Sequence, residues 1–325
     1  MRFIGSGASM ASVVPLPQEN RVSFDTALAL KLLPLYLLVA AGFILGRWLE
    51  VRGQELGKLA LYILSPAVVF KGFAGAKISS SLLLPLAVFG LCSAVSLAMR
   101  WPAGKFWRDG RERIAAFTAG TGNTGFFGIP ACLSLVGADA LPVVVMVSFA
   151  ATAYENTLGF YTVARAESGI GRSIFRVLKY PGLHACWLGL LISATGTRLP
   201  VMITQSVDLL TGAFVPVGMM IIGLGLAQLR SFRIDLAFTA FTFAVKFALW
   251  PALAMGAVWL DRHWLHGMSH LTHQVLLIQS LTPLAAVTVV HASLRNIHPE
   301  TAAMAVALST AFALGWLPFI FAIAA

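Results

Sequence analysis

Apolar residues run in long blocks along nearly the whole chain, each closed by a short polar or basic stretch. A block of about 20 residues crosses a hydrocarbon core about 30 Å thick as a helix. The pattern predicts ten spans: Thr26–Trp48, Leu56–Ala74, Ser81–Met99, Ile114–Val136, Leu141–Ala164, Pro181–Thr195, Ile203–Leu229, Ile234–Leu260, Leu271–Leu294 and Thr301–Ile323. The sixth is the shortest and stops at Gly196. Links between spans are short, the longest being Arg100–Arg113 and Arg165–Lys179, which leaves no room for a soluble domain. Residues 1–25 are expected to be a poorly ordered lead-in, since no apolar signal-peptide core stands there.

Five spans fall in residues 26–164 and five in 180–325, with 165–179 as the connecting loop. Five is odd, so a five-span unit repeated once enters the membrane the second time with inverted orientation. That is the plan of many secondary transporters. Prolines recur at corresponding places in the two halves: Pro66 and Pro216, Pro85 and Pro251, Pro130 and Pro283. The expected fold class is therefore an all-α polytopic membrane protein of two inverted five-helix repeats.

Composition agrees. The chain is 58% hydrophobic and only 11% charged, against about 25% charged in a soluble domain. A net charge of +10 would suggest nucleic acid in a soluble protein. Here the basic residues sit in the links, so no nucleic-acid partner is expected. Of 23 Lys and Arg, 15 fall on one side when the links are assigned alternately, and six on the other. The richer side should be cytoplasmic, placing both termini outside the inner membrane. Cys92, Cys132 and Cys186 lie inside apolar spans and read as small packing residues.

Gly120–Pro130 interrupts the fourth span with four glycines, two threonines, an asparagine and a closing proline. Proline lacks the N–H and clashes with the preceding turn. Glycine admits non-helical dihedrals. Such a break is tolerated at membrane depth only where protein or a water-filled cavity covers it. It frees N–H groups at one half-helix end and carbonyls at the other, which suit an anion and a cation. Asn123, Thr124, Gly125 and Pro130 are the substrate-site candidates here. In the ninth span, Gln279, Ser280, Thr282 and Pro283 make a second, weaker interruption. A crossing of the two would put a polar centre inside an apolar bundle.

Lys246 lies deep in the eighth span, where an ammonium must face protein, cavity or a carboxylate. It is either an anion contact or a structural partner of Glu155 or Asp208. Glu155, Asn156 and Gln274 are the coupling-ion candidates, for a sodium ion or a proton. His184 and His291 read as interfacial. His263, His266, His270 and His273 crowd one link without carboxylates to complete a metal site, so neither a metal nor another cofactor is expected. No nucleophile–base set and no nucleotide-phosphate loop is present, so no enzymatic activity is expected.

Three stretches carry a likeness: Leu64-Ser-Pro-Ala-Val-Val-Phe70, Gly122-Asn-Thr-Gly-Phe-Phe-Gly-Ile-Pro130 and Pro216-Val-Gly-Met-Met-Ile-Ile-Gly-Leu-Gly-Leu226. In these the chain resembles the auxin efflux carrier family, whose bacterial members include malonate and other organic-acid permeases, within a superfamily that also holds bile-acid/sodium symporters. The resemblance implies ten helices, a crossover of the fourth and ninth at Pro130 and Pro283, and an organic-anion substrate. It also implies elevator-type alternation of spans 3–5 and 8–10 against a scaffold of spans 1, 2, 6 and 7, through which a homodimer would form. The second crossover departs from the first in being poor in glycine and lacking asparagine. Sodium-coupled transport of a larger amphipathic anion, and a channel-like or sensory protein on the same scaffold, are the alternatives.

Overall fold

The computed structural model describes residues 19–76, 80–164, 178–228 and 234–324, and these are helical with no strands among them. Twelve helices are labelled here in chain order: α1 Glu19–Trp48, α2 Gly53–Ala74, α3 Leu84–Phe106, α4 Arg111–Ala119, α5 Ile129–Leu135, α6 Ala138–Ala164, α7 Pro181–Thr195, α8 Val201–Ala227, α9 Leu236–Leu265, α10 His270–Ser280, α11 Val287–Leu294 and α12 Pro299–Ala324. Seven of them (α1, α2, α3, α6, α8, α9 and α12) are long and apolar enough to cross a membrane. The predicted fourth and ninth spans are each two short helices, α4–α5 and α10–α11. The predicted sixth span, α7, has 15 residues and a length of about 22 Å at the usual rise.

Several boundaries differ from those expected. Helix α1 begins at Glu19, inside the expected lead-in, and α3 continues through Pro102 to Phe106. The link expected at Arg100–Arg113 is thereby cut to residues 107–110. Helix α9 runs on to Leu265. Most of the expected loop 165–179 lies outside the described residues.

The helices do not wind evenly. Wide π-turns occur at Ala60–Leu64, Thr124–Gly128 and Val245–Leu249. Each ends two residues before a proline: Pro66, Pro130 and Pro251. The proline ring clashes with the carbonyl four residues back and offers no N–H, so the turn before it widens. Two further π-turns, Glu155–Gly159 and Asp261–Leu265, have no proline in that position.

Much of the outer surface is apolar, as lipid requires. Leu209 is 76% exposed and Trp187 65%. Between helices in lipid, close packing and hydrogen bonds hold the bundle, since the tails are as apolar as leucine. Helix α1 lies along α8, and α2 along α7 and α8. The α1–α8 crossing is set by small residues. A Cβ added at Gly42 would lie 2.7 Å from the Met220 Cα, and one at Gly223 would lie 2.6 Å from the Phe43 N. One apolar core joins α1, α2, α5, α6, α8 and α10, through Leu32, Val68, Val145, Met219 and Ile278. A second, through Phe117, Tyr154, Phe238 and Ala302, joins α4, α6, α9 and α12.

Polar contacts at the helix ends gather the connecting segments into two groups. Arg111 pairs with Asp109 at 2.8 Å and with Asp235, whose carboxylate also caps α9 at the Phe238 N–H. Arg111 holds the Asp109 carboxyl below its ordinary range. Asp109 also meets His298, and Arg295 donates to the Ala164 carbonyl. At the opposite helix ends, Lys71 pairs with Asp208 at 2.7 Å and Ser193 donates to the Ala76 carbonyl.

Candidate functional site

The two breaks meet. Residues 120–123 separate α4 from the turn leading into α5, and residues 281–286 separate α10 from α11. The Asn123 backbone N–H donates to the Pro283 carbonyl at 2.8 Å, a main-chain bond that closes one break on the other. Proline has no N–H but keeps its carbonyl as an acceptor. The first break turns tightly, with the Thr124 N–H on the Gly122 carbonyl at 2.7 Å. The Asn123 side-chain oxygen accepts from the Phe127 N–H at 3.3 Å, capping the helix that follows. Its amide donors are not used by any described residue.

Side chains lace the junction. The Thr124 carbonyl accepts from Ser148 Oγ at 2.8 Å and from Gln279 Nε2 at 3.2 Å. Gln279 is 4% exposed, and its Oε1 has no partner among the described residues. Thr282 Oγ1 turns back onto the Gln279 carbonyl at 2.8 Å, and Ser280 Oγ onto Leu277 at 2.7 Å. Behind the second break, the Leu284 N–H donates to Ser309 Oγ at 3.1 Å. Pro130 is buried within the first turn of α5. Gly125 has open space where a Cβ would project, whereas a Cβ at Gly128 would lie 2.6 Å from Gln279 Nε2.

Lys246 enters from the π-turn in α9 and is 3% exposed. A Cβ at Gly122 would lie 2.9 Å from both the Lys246 Cε and Thr282 Oγ1, so glycine alone lets the lysine head reach the meeting point. The ammonium makes no ion pair with any described residue; its neighbour is the Trp250 ring, 5.5 Å to the centroid. Trp250 Nε1 in turn donates to the Ala119 carbonyl at the end of α4, at 2.8 Å. Asp208, offered as a partner for Lys246, pairs with Lys71 instead.

A cavity of about 70 Å³ adjoins the ammonium, lined by Thr121, Gly122, Thr124, Lys246, Gln279 and Ser280 and by apolar residues of α3, α6 and α9. That is space for about two waters at ~30 Å³ each.

Glu155 opens the π-turn in α6, and its carboxylate accepts from the Thr121 hydroxyl in the first break. The adjacent Asn156 amide is spent on the Thr152 carbonyl of its own helix at 2.8 Å. Gln274 is half-buried on α10 and does not line the cavity. His273 faces the buried Asp261 at 2.8 Å, and His263 contacts the Trp259 carbonyl.

The structure thus brings Asn123, Thr124, Gln279, Ser280, Thr282, Pro283 and Lys246 to one junction. Sequence reading missed Thr121, Ser148, Trp250 and Ser309. Thr121 lies inside the glycine-rich break and was legible there; the other three are ordinary residues of apolar helices, and only the fold brings them in.

Residues 169–321 match the family model described as membrane transport protein. An uncharacterized transporter of Methanocaldococcus jannaschii is 25% identical over 300 residues, covering 86% of this chain and 96% of that one. An uncharacterized transporter of Methanothermobacter thermautotrophicus is 24% identical over 296 residues, covering 88% and 95%. The family match in the second half, the relatives aligned along both halves and the seven helices of spanning length together support a multi-pass membrane transport protein.

Proposed function

We propose that this transporter is a secondary carrier of a small organic anion, a mono- or dicarboxylate, working by elevator-type alternating access. The observation that carries the reading is the Lys246 ammonium, buried, without an ion-pair partner among the described residues, and set where the two breaks meet. A buried cation of this kind calls for a negative partner. The uncommitted amide donors of Asn123 and the open space beside Gly125 complete the recognition of a carboxylate, with Gln279, Ser280 and Thr282 facing them across the junction.

In this reading the bundle has ten spans in two inverted halves, α4–α5 and α10–α11 being the broken ones. The grouping of helix-end contacts supports the alternation. Segments near residues 109, 164, 235, 295 and 298 lie together, as do those near 71, 76, 193 and 208. The first group belongs to the basic side, which faces the cytoplasm in a bacterial inner membrane and leaves both termini outside. Helices α1, α2, α7 and α8 form the scaffold and the homodimer surface, and the remaining helices move.

Counterflow of labelled malonate, succinate and lactate in proteoliposomes tests the proposal. Saturable exchange of at least one is expected in the wild type, falling at least tenfold in Lys246→Met. Equal exchange in the two proteins would overturn the site assignment, and unsaturable conductance would favour a channel.

A further inference from the structure

Two ionisable side chains flank the first break, Glu155 and Lys246, and each belongs to a π-turn. Such turns interrupt helices disproportionately at functional sites. The pair forms no salt bridge, and the Cys92 thiol of α3 lines the cavity together with Lys246. Tyr154, beside Glu155 in the chain, donates its hydroxyl to the Phe117 carbonyl at 3.0 Å. Beyond the end of α4, the Thr121 hydroxyl donates to the Glu155 carboxylate. No second carboxylate is among these neighbours.

From this arrangement we infer that Glu155 is the proton-carrying residue of the transport cycle, and that it carries one proton with each substrate molecule, which makes transport of a monoanion electroneutral. The inference rests on the anion-carrier reading above. Charge balance drives it. The empty site holds one ammonium and one carboxylate and is neutral. A monoanion joining Lys246 leaves one uncompensated negative charge, which is costly to move through hydrocarbon. One proton on Glu155 restores neutrality. It comes from water on the side of entry, adds to a carboxylate oxygen, and returns to water on the side of release; no other bond changes and no electron moves.

Thr121 is the link. Its hydroxyl donates to the Glu155 carboxylate, and its residue lines the cavity beside Lys246. A hydrogen bond to an ionised carboxylate is stronger than one to the neutral acid. Protonation therefore loosens the break from α6 as the anion arrives. Lys246 meanwhile supplies a tethered cation at the carbonyl end of α4, a place where a free coupling cation otherwise binds in broken-helix carriers. Sodium is then not required.

The test compares exchange with net uptake in proteoliposomes, using lactate and malonate, with choline replacing sodium. In the wild type an inward proton gradient drives uptake, because low pH loads Glu155. A pH-sensitive dye should count one proton per substrate molecule for lactate and for malonate, and choline should change nothing. Glu155→Gln, permanently neutral, should keep counterflow and lose gradient-driven net uptake at least tenfold. Thr121→Val keeps the carboxylate without its hydrogen bond, and should move the pH profile of uptake toward alkaline values. Gradient-driven uptake retained in Glu155→Gln, an unmoved profile in Thr121→Val, or a sodium requirement would each overturn the inference. If Glu155→Gln does not fold, the Thr121→Val profile decides alone. A wild type without counterflow of any carboxylate would instead overturn the anion-carrier reading, and this inference with it.

Discussion

At the scale of single residues, Gly122 and Gly125 stand three positions apart in one motif and face different neighbours. A methyl at Gly122 would collide with the Lys246 head and the Thr282 hydroxyl, while one at Gly125 would enter open space. Overpacking a close contact costs about 1–3 kcal/mol, but the larger effect at Gly122 is displacement of the ammonium from the junction. Gly122→Ala is therefore expected to abolish carboxylate exchange, and Gly125→Ala to leave the melting temperature unchanged while raising the KM for exchange. Transport assays on the two purified variants, with melting curves beside them, check both. The sequence singled out this stretch because few other residues so disfavour a helix in so apolar a setting. It could not say which glycine touches what, because the lysine arrives from α9, more than a hundred residues away.

Among elements, the α1–α8 crossing is the tightest contact described, since the two backbones meet through Gly42 and Gly223. A valine at Gly223 would strike the α1 main chain, which cannot rotate away as a side chain can. Gly223→Val should lower the melting temperature in detergent by an amount at or above the top of the ~1–3 kcal/mol overpacking range. Gly225→Val, where a Cβ meets nothing, should not. Light-scattering or fluorescence melting curves distinguish the two. The apolar blocks located these helices well, because hydropathy reports what lies in lipid. Ends were less legible. Helix α3 passes straight through Pro102, since the chain before a proline can widen or bend without stopping. The π-turns at Ala60, Thr124 and Val245 follow from prolines visible in the sequence, but the one at Glu155 has no such mark.

For the whole molecule, the gathering of residues 109, 235 and 298 away from 71 and 208 matches the division that the Lys and Arg count drew from sequence alone. The count rests on the resistance of basic links to translocation, a property of composition and not of packing. In a background lacking Cys92, Cys132 and Cys186, a membrane-impermeant maleimide added to intact cells should label Asp139→Cys and spare Arg108→Cys until the membrane is opened. Both positions are exposed. Labelling in the reverse order would invert the orientation. What composition did not reveal is that α4–α5 and α10–α11 meet, because that depends on which breaks approach each other in space.

The bond from the Asn123 N–H to the Pro283 carbonyl has a consequence for genetics. Its donor and acceptor are both main-chain atoms, so an alanine scan passes over the joint without touching it. Genetic substitution can delete the donor only by placing proline at position 123, which would also remove the cap on Phe127. Replacing the amide at residue 123 with an ester by chemical ligation removes the hydrogen and leaves every side chain in place. The joint between the two breaks can thus keep its shape while the residues around it change.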